Sequence, residues 1–443
     1  LQFNISYKRI WQIAYPIILG SVAQNIINVT DTAYLGRVGQ VELGASALGG
    51  MFYFVFIMLG LGFGTGTQII IARRFGEGNT DSIGKTFDHA MYFMLPLALV
   101  SLFFLYFFAP IILRPVVASD KIYESTIAFL NFRVFGIVFA FAQILFRSFY
   151  IGITETKVIT WSTILMAVVN IVLDYVMIFG KFGFPKMGVE GAALASSISE
   201  ACAVVYLIIY TWKKHYKLKY NLFTFRDFDK VLFVKNFNIS GPIMVQNFFS
   251  LSVWFAFFLM VEKMGEQALA VSNIIRSIYI VLMIPIWGFS SAANSLVSYL
   301  IGLGQQQFVF KLLWRITVLS FGGVLIFVIL SLIFPSNILS VITNDKVLID
   351  AAIPVLLVVN MGALTLSVGF VIFNGLVGTG KTMVALGVEM TVLTIYILFV
   401  YLMTSIYQGS VARVWLSELV YGVFLILFSW IYLKKGNWQL KSI

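Results

Sequence analysis

The feature that most constrains this chain is a succession of apolar stretches, each about 20 to 30 residues long, separated by short charged or Gly/Pro-containing segments. At 1.5 Å rise per residue, a stretch of this length crosses a hydrocarbon core of roughly 30 Å as an α-helix. Helices are the spanning element, because an irregular or open-edged backbone leaves its polar groups unsatisfied in lipid. Reading between the charged and Gly/Pro punctuation predicts spans near 10–34, 45–72, 84–113, 122–150, 157–180, 188–212, 236–261, 266–300, 310–334, 347–376, 383–405 and 410–433. Composition agrees: 60% of the residues are hydrophobic, 11% are charged and the mean hydropathy is +0.95, far from a soluble globular domain. Lys8 and Arg9 precede an apolar run too long for a signal-peptide core, so the run from Ile10 reads as a retained first span. The one cysteine, Cys202, has no disulfide partner and reads as a small core residue.

The net charge of +11 is explained by topology. With the spans above, more than twice as many Lys and Arg fall on the side of the N-terminus as on the other. By the positive-inside rule both termini are cytoplasmic, in an inner (plasma) membrane. Many of these cations lie in a solvated basic linker, residues 213–235, so no nucleic-acid partner is needed to account for them.

Internal repetition sets the organisation. The shift that carries Pro16 onto Pro242 also puts, without a gap, Gly39 on Gly265, Ser46 on Ser272, Gly62-Phe63 on Gly288-Phe289, Gly76 on Gly302 and Gly152 on Gly378. A slightly shorter shift puts Ser199-Glu200 on Ser417-Glu418. Each half holds six spans, so the repeats enter the membrane in the same direction, related by a pseudo-two-fold axis along its normal. The fold class is therefore all-α integral membrane, with twelve transmembrane helices in two parallel-repeat lobes: 1–212, the linker 213–235, and 236–443.

An ionisable side chain at mid-membrane is costly, which makes each one a functional candidate. Gln24, Asn28 and Asp31 share one helical face of the first span by their spacing of four and three, and Asn170 and Asp174 share a face of the fifth. Counted from the span starts at Ile10 and Lys157, Asp31 and Asp174 lie at similar depth, and Ser196, entering from the other side, reaches the same level. The four form a candidate cation-coupling cluster; the bland alternative is two unrelated aspartates at the outer interface. Mapped through the repeat, Asp31 falls on Phe257 and Asp174 on Val400, so the halves are alike in fold and unequal in chemistry. Gln24, Asn28, Asn247 and Arg276 are candidates for a substrate cavity. Of the remaining intramembrane charges, Glu200 and Glu418 occupy equivalent positions, which favours helix linking; Glu389, like Arg276 in the second half, reads as a cavity residue or as one of a buried pair, and Arg133 and Arg147 have no assigned role. His89 and His215 are too far apart in the chain for a metal site. Gly375-Leu-Val-Gly-Thr-Gly-Lys-Thr382 fits the phosphate-loop pattern, but apolar spans flank it where a strand and an α/β sheet are required, so it reads as a helix-to-helix turn.

Several segments together resemble the multidrug and toxic compound extrusion family, closer to its DinF-like and archaeal branch than to its NorM-like branch. They are PIILGSVAQNIINVTDTAYLGRVG in the first span, ARRFGEGN after the second, NIVLDYVMIFG in the fifth, GVEGAALASSIS entering the sixth and GLVGTGKT after the tenth. The resemblance covers nearly the whole chain. It implies proton or Na⁺ coupling at Asp31, Asn170, Asp174 and Ser196, with neither an organic cofactor nor an enzymatic activity. The implied function is an ion-coupled antiporter, functional as a monomer, that exports amphipathic cationic organic compounds by alternating access. Two adjacent carboxyls would hold one proton between them near neutral pH. Two departures stand out: the span-7 glutamate of the NorM-like branch falls at Ser250, which argues against a coupling site in the second lobe, and a tyrosine four residues before the first aspartate is Ile27, which bears on substrate contacts. The alternative is a flippase for a lipid-linked saccharide, whose cationic cavity would have to draw on Arg276, Arg133 and Arg147. A membrane-embedded enzyme finds no HExxH or nucleophile motif, and a channel finds no ring of equivalent residues.

Overall fold

The computed structural model describes residues 5–225 and 228–439. The helices of the first half are α1 (Tyr7–Val38), α2 (Gln40–Gly76), α3 (Thr80–Leu113), α4 (Asp120–Arg133), α5 (Gly136–Gly152), α6 (Lys157–Phe179), α7 (Val189–Lys213) and the short α8 (Tyr216–Lys219). Those of the second half are α9 (Lys230–Glu262), α10 (Glu266–Gly302), α11 (Val309–Ile333), the short α12 (Pro335–Ser340), α13 (Lys346–Gly378), α14 (Thr382–Tyr401) and α15 (Val411–Lys435). Eleven helices among the described residues are long and apolar enough to cross a membrane, and the pair α4 and α5 makes a twelfth span. The sequence predicts that span as one helix over 122–150; it is broken at residues 134 and 135 and bent by 53°. The sequence-predicted phosphate-loop segment runs as the end of α13, a turn through Gly380 at φ 87°, and the start of α14.

Local chemistry fixes several of these ends. Asn79 accepts from Ser82 N at 3.1 Å to cap α3, Ser119 accepts from Ile122 N to cap α4, and Asp345 accepts from Val347 N and Leu348 N to cap α13. Gly180, at φ 67°, closes α6 in the left-handed conformation.

The chain divides into two compact units. The first is Leu19–Met244; the second joins the residues up to Ile18 to Val245 and beyond. Both division points follow a proline of the repeat, Pro16 inside α1 and Pro242 inside α9. Within the first unit α6 packs on α7 and α2 on α5; within the second α13 packs on α10 and α15.

The repeated glycines explain how these helices approach. A Cβ on Gly62 of α2 would stand 2.6 Å from Met244 Cα and 2.7 Å from its N, within the first unit. A Cβ on Gly288 of α10 would collide with Ile18, within the second. Ile18 and Met244 are themselves related by the shift that carries Pro16 onto Pro242, so the repeat found in the sequence recurs as a repeated helix contact. The basic linker is docked rather than simply solvated: all its lysines but the half-buried Lys235 are exposed, but Tyr220 and Leu222 are buried, and Asp88 of α3 accepts from the backbone N–H groups of Phe223, Thr224 and Phe225 at 2.8 to 3.0 Å. Linker residues 226 and 227 lie outside the described residues. His89, also on α3, is buried and receives the Asp229 N–H on Nε2 at 2.8 Å, which gives it a structural role.

Gly62→Ala and Gly288→Ala are each expected to destabilise the protein by about 1–3 kcal/mol, because backbone stands where the methyl must go or beside it. Thermal unfolding in detergent checks this; Gly50→Ala inside α2, where a Cβ meets nothing within 4 Å, is the control expected not to lower the melting temperature.

Candidate cation site

Asp31 of α1, Asn170 and Asp174 of α6, and Ser196 of α7 come together inside the first unit. Asn170 and Asp174 are fully buried, and the Asn170 amide donates to Ser196 Oγ at 3.4 Å. The Asp31 and Asp174 carboxyls lie within hydrogen-bonding reach of each other. Among the described residues no donor reaches Asn170 Oδ1, either oxygen of Asp174 or Asp31 Oδ1 in the unprotonated protein. Buried oxygens without donors are expensive to keep, and a group of them facing one another is what a small cation or a shared proton would satisfy.

Packing brings these side chains to one place. The spacing of four keeps Asn170 and Asp174 on one face of α6. α1 passes α6 at Gly20, where even an added Cβ would meet Thr163 and Ile159 only at ordinary contact distance. Ala23 and Ile27 of α1 then form a small core with Met166 and Ala167 of α6 and Ala203 of α7. Ile27, at the position where the family resemblance brings a tyrosine, belongs to this core and is 5% exposed. One turn beyond Asp31, Tyr34 packs edge-on against Phe179 at 5.7 Å and tilts against Tyr175, a further contact between α1 and α6.

A second polar group stands beside the first. Arg133, the last residue of α4, makes a two-pronged ion pair with Glu200 of α7, at 2.8 and 2.5 Å, and its guanidinium lies 4.1 Å from the centre of the Tyr53 ring. Arg133 is also close enough to Asp31 for their charges to interact. The pair sits at the break between α4 and α5, and Gly136 makes room for it: a Cβ there would collide with Arg133 Nη1 and stand 2.7 Å from Glu200 Oε2. Sequence reasoning assigns Glu200 to helix linking, but its partner, far along the chain on a different span, gave no pattern to read.

The second unit shows what the same frame looks like with other chemistry. Through the two shifts, Asp31, Asp174 and Ser196 correspond to Phe257, Val400 and Val414, which lie together in one hydrophobic cluster. Glu418 corresponds to Glu200 and Tyr279 to Tyr53, but Val359 stands for Arg133. Glu418 is held instead by Tyr279 Oη at 2.8 Å and Tyr396 Oη at 3.0 Å, one donor on each oxygen.

The other sequence-predicted residues are dispersed. Gln24 and Asn28 are exposed on α1, on either side of buried Ile27. In the second unit Asn247 is half-buried on α9, and Arg276 is half-buried on α10 with its guanidinium 5.3 Å from the centre of the Phe258 ring. Among the described residues no three His, Cys, Asp or Glu side chains gather as a metal-binding group.

Comparison with known proteins places this geometry. The MatE family pattern matches the chain twice, over residues 16–176 and 242–402, and the repeat shift carries both ends of the first match onto those of the second. The chain belongs to the MatE family. Members of this family are transporters and not enzymes. The "Probable multidrug resistance protein NorM" of Agrobacterium fabrum is 27% identical over 318 residues, covering 71% of this chain and 67% of that protein. Its namesake in Thermotoga maritima is 23% identical, covering 98% and 94%. The solved structure of a MOP superfamily transporter from Pyrococcus furiosus superposes with a TM-score of 0.88 at 19% identity over 97% of each chain, the same twelve-span helical fold. This MatE protein is thus a multi-pass membrane transporter.

Because Arg133 and Glu200 are largely buried, removing one partner strands the other. Arg133→Met is expected to destabilise this MatE protein by about 3–5 kcal/mol, whereas the double replacement Arg133→Met with Glu200→Met recovers most of that loss. Chemical unfolding of the three proteins in one detergent, read as a double-mutant cycle, checks the sign and size.

Proposed function

We propose that this MatE transporter is an antiporter that exports amphipathic, cationic organic compounds in exchange for protons or Na⁺. The observation that carries the reading is the set of buried oxygens without donors on Asp31, Asn170 and Asp174, completed by the Ser196 hydroxyl. Two carboxyls side by side repel as anions, and a proton between them, or one Na⁺ on their oxygens and the neighbouring amide and hydroxyl, removes the repulsion. The backbone near Ala192, one turn before Ser196, is a further oxygen source. The names of the NorM relatives support a drug-like range of substrates.

Exchange follows from linkage. An ion that binds one conformation better than the other shifts the equilibrium between them by that difference, and a substrate with the opposite preference is released when the ion enters. In this reading the lobes 1–212 and 236–443 alternate access as a monomer in the inner (plasma) membrane. Both termini are then cytoplasmic, in keeping with the Lys and Arg distribution. The flippase reading is weakened, since Arg133, one of its three candidate cavity cations, is neutralised by Glu200.

Asp31→Asn keeps a hydrogen-bonding side chain but removes the charge, so it is expected to abolish ion-driven efflux of tetraphenylphosphonium from proteoliposomes while leaving insertion and folding intact. Efflux at the wild-type rate would remove Asp31 from the mechanism.

Na⁺ and protons are expected to compete for the cluster: protonation takes away the charge that Na⁺ requires, so Na⁺ affinity falls as pH falls. Asn170→Ala and Ser196→Ala remove neutral oxygens that Na⁺ uses and a proton does not, and should impair Na⁺-driven transport more than proton-driven transport. Calorimetric Na⁺ titration across a pH series tests both; an affinity independent of pH, or unchanged in the variants, sinks the shared site.

A further inference from the structure

Glu389 of α14 lies in the second unit and is 2% exposed. Its Oε1 accepts two hydrogen bonds, from Ser250 Oγ of α9 at 2.9 Å and from Tyr421 Oη of α15 at 2.7 Å. No donor among the described residues reaches Oε2, and no Lys, Arg or His among them forms a salt bridge with it. The groups around it are Ser250 from α9 and Tyr421 from α15, with Phe370 of α13 against the Tyr421 ring, and Tyr396, Tyr279 and Glu418 behind. A buried carboxylate with one bare oxygen is costly as an anion, and a proton on that oxygen removes the charge without needing space or a partner.

Glu418 supplies the contrast within the same unit. Both of its oxygens have donors, and those donors, Tyr279 and Tyr396, are themselves buried at 9% and 3% exposure. That carboxyl is closed off. The two residues that hold Glu389, Ser250 and Tyr421, are by contrast only half-buried, and both donate to it through O–H groups able to exchange protons.

We propose that Glu389 is an exchangeable proton site of the second unit, separate from the Asp31–Asp174 cluster. It is not the repeat counterpart of that cluster. By the same shifts Glu389, Ser250 and Tyr421 correspond to Thr163, Gln24 and Ala203, and Val400, which corresponds to Asp174, lies about three turns, or roughly 16 Å, further along α14. The carboxylate that Ser250 replaces in the resemblance is supplied here from a different helix, where Ser250 serves as its donor. A part for Glu389 in the transport cycle rests on the antiport reading; the proton site itself does not.

The carboxylic-acid C=O band in pH-difference infrared spectra of the purified full-length protein reads this directly. Wild type is expected to show a band that titrates, is lost in Glu389→Gln, and persists in Glu418→Gln and in Asp31→Asn. Ser250→Ala and Tyr421→Phe each take one hydrogen bond from Oε1, so each moves the band to higher wavenumber without deleting it, a readout that holds even if Glu389→Gln fails to fold. Spectra of Glu389→Gln identical to wild type, a band that does not respond to pH, or a band unmoved in both hydroxyl variants overturns the proposal. Because the spectra need no transport, failure of the antiport reading leaves their outcome unchanged.

Discussion

Hydrocarbon offers no hydrogen-bond partner, so polar atoms buried in this chain depend on the chain itself for partners, and the whole structure follows from how that demand is met. The backbone meets it with helices closed by their own i to i+4 bonds. Beside Glu389 and the backbone-bound Asp88, three groups of buried charges show how differently it can be met: by the Arg133–Glu200 ion pair, by the two tyrosine hydroxyls on Glu418, and, at both oxygens of Asp174 and one of Asp31, not at all. The first two are satisfied groups that hold helices in place. The third, in the antiport reading proposed above, is left for an ion.

The repeat makes that distinction sharper than a single unit could. One helical frame, occurring twice along the chain, carries Asp31, Asn170 and Asp174 in one copy and Phe257, Tyr396 and Val400 in the other. The backbone tolerates either set, since Phe257 and Val400 fill their region as ordinary core. The polar set is therefore not needed to build the fold, and its cost in stability points to a role in binding. The glycines at 62 and 288 behave in the opposite way: they are shared by both copies because both need the same close helix approach.

The break between α4 and α5 ties the two themes together. A straight helix over this span would keep a regular backbone, but the bend sets Arg133 at a helix end, where it can face Glu200 of α7 and the ring of Tyr53 on α2. A charged group so placed contributes to the field at Asp31 from outside the cluster, and the second copy, with Val359 in place of Arg133, has neither the cation nor the aspartate.

Much was legible in the sequence by itself. Span length and composition required a helical membrane protein, because the bilayer thickness is fixed and helix rise is constant, and the constant offset gave the repeat. Spacing of three and four along a helix gave Asn170 and Asp174 their common face, and equal depth suggested that Asp31 and Ser196 would join them. Only the tertiary structure decided which groups meet across helices. The bend at residues 134 and 135, the pairing of Arg133 with Glu200, the inward turn of Ile27 and the convergence of Ser250 and Tyr421 on Glu389 depend on helix rotation and approach. Those are set by packing of small and large side chains between helices, such as Gly136 beside the ion pair, and no periodicity within one helix records them.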